Sequence, residues 1–256
     1  MRPTVIRRTA VAAGAVCLAL LATACGGSDS GSGGDDTAAD AKGKGSAAAQ
    51  PAVKALTSAE LEKAALAQGD VKGEKIAKAT AKDTIATEEV TTDKEACTPL
   101  ADALMGAAIA KPAASTLRHS VSEPKKGATG MAAALDITTT QISLASYDGK
   151  GAEETIAGLR TAATECAGGF TLTAKGEKQK VTKIAEEQVT AGEEAAAWTV
   201  TVEQEGESVP FKLVAFRQGA TVATFSAFNM AAAGGLDGVE FGLPTALVEG
   251  QAAKLA

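Results

Sequence analysis

The chain has 256 residues, with 25 Lys and Arg against 31 Asp and Glu, which gives a formal net charge of −6. This acidic balance argues against a nucleic-acid-binding protein and against electrostatic attraction to an anionic bilayer, since both targets favour basic proteins. Hydrophobic residues make up 45% of the sequence but aromatic residues only 3%, so the core has to be built from small side chains that each bury little area.

The first 24 residues have the layout of an export signal. Arg2, Arg7 and Arg8 form a basic start, and an uncharged apolar run follows from Ala10 to Leu21. A dozen apolar residues are too few for a transmembrane helix, which needs about 20, but they suit the centre of a signal peptide. We therefore predict a signal peptide at residues 1–24. Both the Sec and the twin-arginine export routes stay open.

Cys25 follows the small residues Ala22, Thr23 and Ala24, with Leu21 one place further out. This junction resembles the lipobox of bacterial lipoproteins. The resemblance implies cleavage before Cys25, a diacylglycerol on its thiol, and often a further acyl chain such as palmitate on its new amine. Two or more acyl chains anchor a protein stably, so we expect a lipid-anchored protein on the extracytoplasmic face of the cell membrane. A secreted protein with an incidental Cys25 is the alternative.

Residues 25–50 are predicted to be a disordered tether behind the lipidated cysteine. Gly, Ser, Ala and Asp dominate this segment, and such a composition cannot bury enough apolar surface to fold. As a flexible coil its root-mean-square reach is roughly 25–30 Å. Residues 51–256 then form a single extracytoplasmic domain, which is long enough to bury a real core.

The N-terminal part of this domain begins with a helix signal. Thr57 and Glu60 have the spacing of a capping box, which predicts a helix that begins there and ends at Gly69. Two short strands are predicted around Ile76 and Ile85.

The middle of the chain alternates between helix and strand patterns. Pro99 fits only the first turn of a helix, and an apolar stripe follows it at Leu100, Leu104, Ala107 and Ala108. Alternating residues predict strands at 116–122 and 132–147. A helix is predicted at 152–166, and Gly168 and Gly169 after it terminate the helix.

The C-terminal part reads mostly as strands. Trp198 begins an alternating strand, 209–216 is apolar on both faces and therefore central in the sheet, and 221–228 completes a meander. A last helix is predicted from Pro244 to Leu255. This order of elements predicts an α+β fold with an antiparallel sheet of about five to seven strands and helices packed on it.

The chain contains four cysteines. Cys17 leaves with the signal peptide and Cys25 is predicted to be lipidated. Outside the membrane, Cys97 and Cys166 most simply form a disulfide, which would join two helices. A catalytic thiol or a metal pair is the alternative, although His119 is the single histidine.

Other candidate residues each have a plain structural reading. His119 could act on a ligand or face solvent from a strand, and Trp198 could line a pocket or fill the core. The pairs Glu153–Glu154 and Glu193–Glu194 could do acid–base work if burial separated their pKa values, but solvated charge is favoured. Lys125–Lys126 is most simply part of a loop. Motifs for a nucleophile elbow, a phosphate loop, a dinucleotide site or a zinc site are missing from the sequence. We therefore predict no catalytic, cofactor-binding or metal-binding residues.

The order of motifs resembles the extracellular sensor domains of the PknH type, and the signal, lipobox and tether resemble an actinobacterial lipoprotein. The similar stretches are LTSAELEKAAL, ACTPLADAL, LRTAATEC, AAAWTVTV and FRQG, spread over residues 56–230. Sensor domains of this type commonly have two disulfides, whereas Cys97 and Cys166 can form only one. The resemblance implies a non-catalytic binding or sensing module for an unknown small molecule, lipid or protein.

Two other functions stay open. A carrier of a lipid or another apolar molecule would need an apolar internal cavity of several hundred Å³. A hydrolase, the less favoured reading, would need a concave site with perturbed titratable groups, perhaps around His119.

Overall fold

The computed structural model describes residues 54–123, 130–204, 206–236 and 241–256. The predicted signal peptide, Cys25 and the tether lie outside the described residues, and so do Lys125 and Lys126. Within the described ranges no helix is long and apolar enough to cross a membrane.

Six α-helices and nine strands occur in the described ranges. The helices are α1 (Ser58–Ala64), α2 (Thr98–Leu104), α3 (Met131–Leu135), α4 (Gly151–Glu165), α5 (Met230–Ala233) and α6 (Thr245–Leu255). The strands are β1 (Glu74–Lys78), β2 (Val90–Thr92), β3 (Ala114–Ser122), β4 (Thr138–Ser146), β5 (Phe170–Ala174), β6 (Glu177–Glu187), β7 (Glu194–Gln204), β8 (Glu207–Gln218) and β9 (Thr221–Asn229).

The nine strands form one antiparallel sheet in the order β1-β3-β4-β9-β8-β7-β6-β5-β2. The predicted meander is confirmed as β7, β8 and β9. β8 is the central strand, as its two apolar faces predict, and four consecutive residues from Leu213 to Phe216 are buried. Successive side chains of a strand point to opposite faces, so β8 contributes to a core on each side of the sheet.

One face of the sheet carries α2 and α4. Their buried residues, among them Leu100, Leu104, Ile156 and Leu159, pack with Trp198 and Leu213 in the α2–α4 core. The opposite face carries α1 and α6, which pack with Phe216, Phe225 and other side chains in the α1–α6 core. Alanine occurs throughout both cores, as the composition predicts.

The capping box at α1 is confirmed. The Thr57 hydroxyl accepts a bond from the Glu60 N–H at 3.3 Å, and the Glu60 carboxylate accepts one from the Thr57 N–H at 2.8 Å. The helix ends at Ala64 rather than at Gly69. The side chain of Gln251 in α6 bonds to the backbone just at this end of α1. Its amide donates to the Ala64 carbonyl at 2.8 Å and accepts from the Leu66 N–H at 3.0 Å.

The predicted fold is wrong in its number of strands. The sheet has nine strands in the described residues rather than five to seven, because β2, β5 and β6 were not recognised as separate strands. The segment around Ile85 is a loop, and β2 begins at Val90 instead. Residues 131–135 form α3, so the strand predicted at 132–147 begins only at Thr138.

The placement of the disulfide between two helices is also wrong. Cys97 and Cys166 are bonded, with Cα atoms 5.9 Å apart, and both are buried in the α2–α4 core. Cys97 ends a 3₁₀ turn (Glu95–Cys97) that leads into α2. Cys166 follows α4 as its C-cap with φ −99° and ψ 10°, so the backbone has already left the helix where the bond forms.

Candidate functional site

An open crevice lies at the free edge of β3. β1 pairs with β3 from Arg118 to Ser122, and one further bond runs from the Ala79 N–H to the Leu117 carbonyl at 3.1 Å. The chain then turns away, which leaves the rest of the β3 edge, from Ala114 to Leu117, without a neighbouring strand. We call the space beside this edge the β3 crevice.

The β3 crevice encloses about 340 Å³ and opens to solvent. One wall is the loop after β1, at residues 84–87, and the opposite wall is the loop after α2, at Gly106 and Ala108. The hydroxyl of Thr87 donates to the Ala108 carbonyl at 2.8 Å and ties the two walls together. Leu117 of β3 and Ser143 of β4 form the floor.

The next cross-strand pair beside this floor, which we call the His119–Gln141 rung, carries two unpaired polar groups. His119 of β3 lies directly opposite Gln141 of β4. The His119 Nε2 and the Gln141 Oε1 are both buried and have no hydrogen-bond partner among the described residues. Gly106, with φ +68°, packs so closely that a Cβ there would lie 2.1 Å from the Gln141 Oε1. The backbone of the loop between α2 and β3 therefore packs directly against this rung.

Charged groups line the rim on the α1 side of the sheet. The Glu62 Oε1 of α1 accepts from the Thr116 hydroxyl at 2.6 Å and lies 2.9 Å from the Lys78 ammonium, and its Oε2 accepts from Arg118 at 2.9 Å. The Thr116 bond, followed by those from Lys78 and Arg118, lowers the pKa of Glu62 to about 2. Arg118 is buried and also donates to the Leu66 carbonyl at 3.1 Å, so it holds α1 on the sheet. Lys78 is exposed.

A further titratable group is buried on α2. Asp102 is 2% exposed, and its Oδ1 has no hydrogen-bond partner in the described part of the chain. Burial, and secondly the charge of Glu88, raises the pKa of Asp102 to about 7. Burial also raises the pKa of Tyr147 to about 12, and its hydroxyl donates to the Ile109 carbonyl at 2.8 Å.

The structure separates the other candidate residues. Trp198 is buried in the α2–α4 core. Glu153 and Glu154 are exposed in the first turn of α4. Glu193 forms an ion pair with Arg217, so the Glu193–Glu194 pair stabilises a turn of the sheet. It does not line the β3 crevice.

His119 is the one sequence candidate that adjoins the β3 crevice, and Gln141, Asp102 and Glu62 were missed. A signal for Asp102 was available, because it is an acid inside the apolar stripe of α2. Gln141 gives no such signal, since its role depends on the register of β3 against β4. Among the described residues, no group of three or more His, Cys, Asp or Glu could hold a metal ion.

Comparisons with known proteins return little. No protein family model matches the chain, and no curated protein matches it in sequence. Three solved chains match. One of them is the extracellular domain of PknH from Mycobacterium tuberculosis, with 12% identity and a TM-score of 0.46, covering 79% of this chain and 96% of that chain. It is of the sensor-domain type that the sequence motifs resemble, but the likeness is weak and we draw no functional conclusion from it.

Proposed function

We propose that the chain is a lipid-anchored binding module on the extracytoplasmic face of the membrane and that the β3 crevice holds its ligand. The observation that carries the binding site is the open edge of β3 inside this crevice, next to the buried, unpaired atoms on His119 and Gln141. Buried polar atoms are hydrogen-bonded in the large majority of cases, and leaving one unsatisfied costs about 1–3 kcal/mol. A ligand in the crevice would lie on Leu117 and Ser143, one cross-strand pair away from these two groups.

The shape of the interior favours this function over a carrier. Both cores consist of close-packed side chains with exposures near zero. The crevices in the described residues open at the surface, and polar as well as apolar atoms line them. A carrier would instead enclose an apolar cavity of several hundred Å³.

The binding site is tested by native mass spectrometry of the full-length mature protein from its own membrane. We expect an added mass that is lost in His119→Ala and Gln141→Leu. The exposed change Glu153→Gln, on the far helix α4, is the control and should keep it. A bare protein in every case would contradict the proposal, and an added lipid that survives both site variants would identify a carrier.

The anchor is tested at Cys25. We expect intact mass of the mature protein to show diacylglycerol on this residue, and we expect Cys25→Ala to release the chain from the membrane fraction. An unmodified Cys25 in membrane-bound protein would contradict the anchor without affecting the proposed binding site.

A further inference from the structure

The β3 crevice contains part of a strand edge. In an antiparallel strand, the N–H and C=O of a residue point to one side, and the next residue points to the other. The bond between Ala79 and the Leu117 carbonyl shows that Leu117 faces β1, and Ser115 therefore faces the same way. Among the described residues, nothing bonds to the N–H or C=O of Ser115 or to the N–H of Leu117. Three main-chain groups thus face the crevice.

The loop after β1 keeps this edge free. Asp83 accepts from the Thr80 N–H at 3.0 Å and from the Thr80 hydroxyl at 2.6 Å, and the Asp83 N–H bonds back to the Thr80 carbonyl at 3.0 Å. This turn directs the chain away from β3 two residues after β1 ends. The Thr87 bond to Ala108 then holds the loop on the far side of the crevice. The chain therefore surrounds the open edge without covering it.

We propose, on the basis of the binding function above, that the ligand of the β3 crevice is an extended peptide that adds a strand to β3 beyond β1. Strand addition uses main-chain hydrogen bonds for affinity and the flanking surfaces for specificity. The free edge spans about 10 Å at about 3.3 Å per residue, which is room for three or four peptide residues. A side chain of the peptide would lie beside the His119–Gln141 rung.

The charge of the rim specifies the peptide further. Lys78 and Glu62 are the charged residues that line the crevice. Glu62 is already bound by Arg118 and Thr116 from within, whereas the side chain of Lys78 is 64% exposed. Lys78 can therefore turn to a new anion while Glu62 keeps its other partners. The peptide that fits is one with a carboxylate, either at its C-terminus or on a side chain.

The probe is a library of N-acetylated pentapeptides with alternating threonine, prepared as free acids and as C-terminal amides. Binding to the full mature protein is followed by the ¹⁵N–¹H shifts of the Ser115 and Leu117 amides. We expect shifts at both residues and tighter binding of the acids. Lys78→Gln should remove the preference for acids and leave the amides unchanged.

Two variants of one residue isolate the main-chain contact. Ser115→Pro removes the N–H that faces the crevice, and Ser115→Ala keeps it. Proline is tolerated at the edge of a sheet, and we expect it to weaken the peptide about tenfold or more while alanine has no effect. If the proline variant does not fold, methylation of alternate peptide nitrogens makes the same test on unchanged protein.

The inference is overturned if no peptide shifts the two amides, or if Ser115→Pro or the methylated peptides bind as well as their controls. These results differ from a failure of the proposed binding function. A native ligand that depends on His119 but not on Ser115 would leave the module a binding protein whose ligand is not an extended peptide.

Discussion

The buried carboxylate of Asp102 makes stability depend on pH, and Asp102→Asn should remove that dependence. Folding raises the pKa of Asp102 from 3.8 to about 7, mainly through burial. A group of this kind contributes stability that is complete below its unfolded pKa and is lost as pH rises through its folded pKa. A difference of about three pH units at about 1.36 kcal/mol each gives a total loss of about 4 kcal/mol. About 2.5 kcal/mol of this falls between about pH 5 and pH 8.

Urea unfolding followed by the fluorescence of Trp198, the single tryptophan, measures this loss directly. The free energy of unfolding is determined for the original protein and for Asp102→Asn at several values between about pH 5 and pH 8. Carboxylates such as Glu74 titrate in both proteins, so the difference between the two curves isolates Asp102. We expect the variant to gain about 2.5 kcal/mol on the original across this range. Parallel curves would refute the reasoning, because they would mean that Asp102 is ionised at no cost.

Four other changes test the contacts described above. Arg118→Met should destabilise the domain by about 1–3 kcal/mol, since it leaves the Leu66 carbonyl without its buried donor and removes the ion pair with Glu62. Lys78→Met, at an exposed site, should cost less than about 1 kcal/mol, and equal losses in urea unfolding would contradict this view of the network. Reduction of Cys97–Cys166, which closes a loop of 69 residues, should lower stability by about 4 kcal/mol, and an unchanged midpoint after complete reduction would argue against it. Gly106→Ala should cost about 1–3 kcal/mol because of its positive φ, and a thermal shift assay that shows no loss would mean that the loop relaxes freely.

Local signals predicted several elements well. The capping box located the start of α1, the doubly apolar stretch placed β8 at the centre of the sheet, and the last helix agrees with α6 to within a residue. These features depend on residues that are close together in the sequence. The hairpin of β5 and β6 was missed because β6 exposes Lys and Glu over most of its length, and its few apolar residues do not alternate clearly.

The candidate site was less predictable, because it depends on which strands lie side by side. His119 was noted as a candidate and placed in a strand, but its relation to Gln141 requires the register of β3 against β4. The open edge at Ser115 exists because β1 ends before β3 does, and strand length is poorly marked in this part of the sequence. The end of α4 shows the same limit, since Cys166 continues the apolar stripe although its backbone has left the helix.

The contact between α1 and α6 has a consequence for the order in which the domain matures. Gln251 completes hydrogen bonds at the end of α1, 185 positions earlier in the chain. Similarly, β4 gains its second neighbour only when β9 has been made. Contacts between distant parts of a sequence slow folding, because the long loops must close first. A chain that is synthesised from its N-terminus therefore keeps apolar surface exposed, and stays sensitive to proteases, until α6 has been made. Chaperones would therefore meet this protein as a late folder.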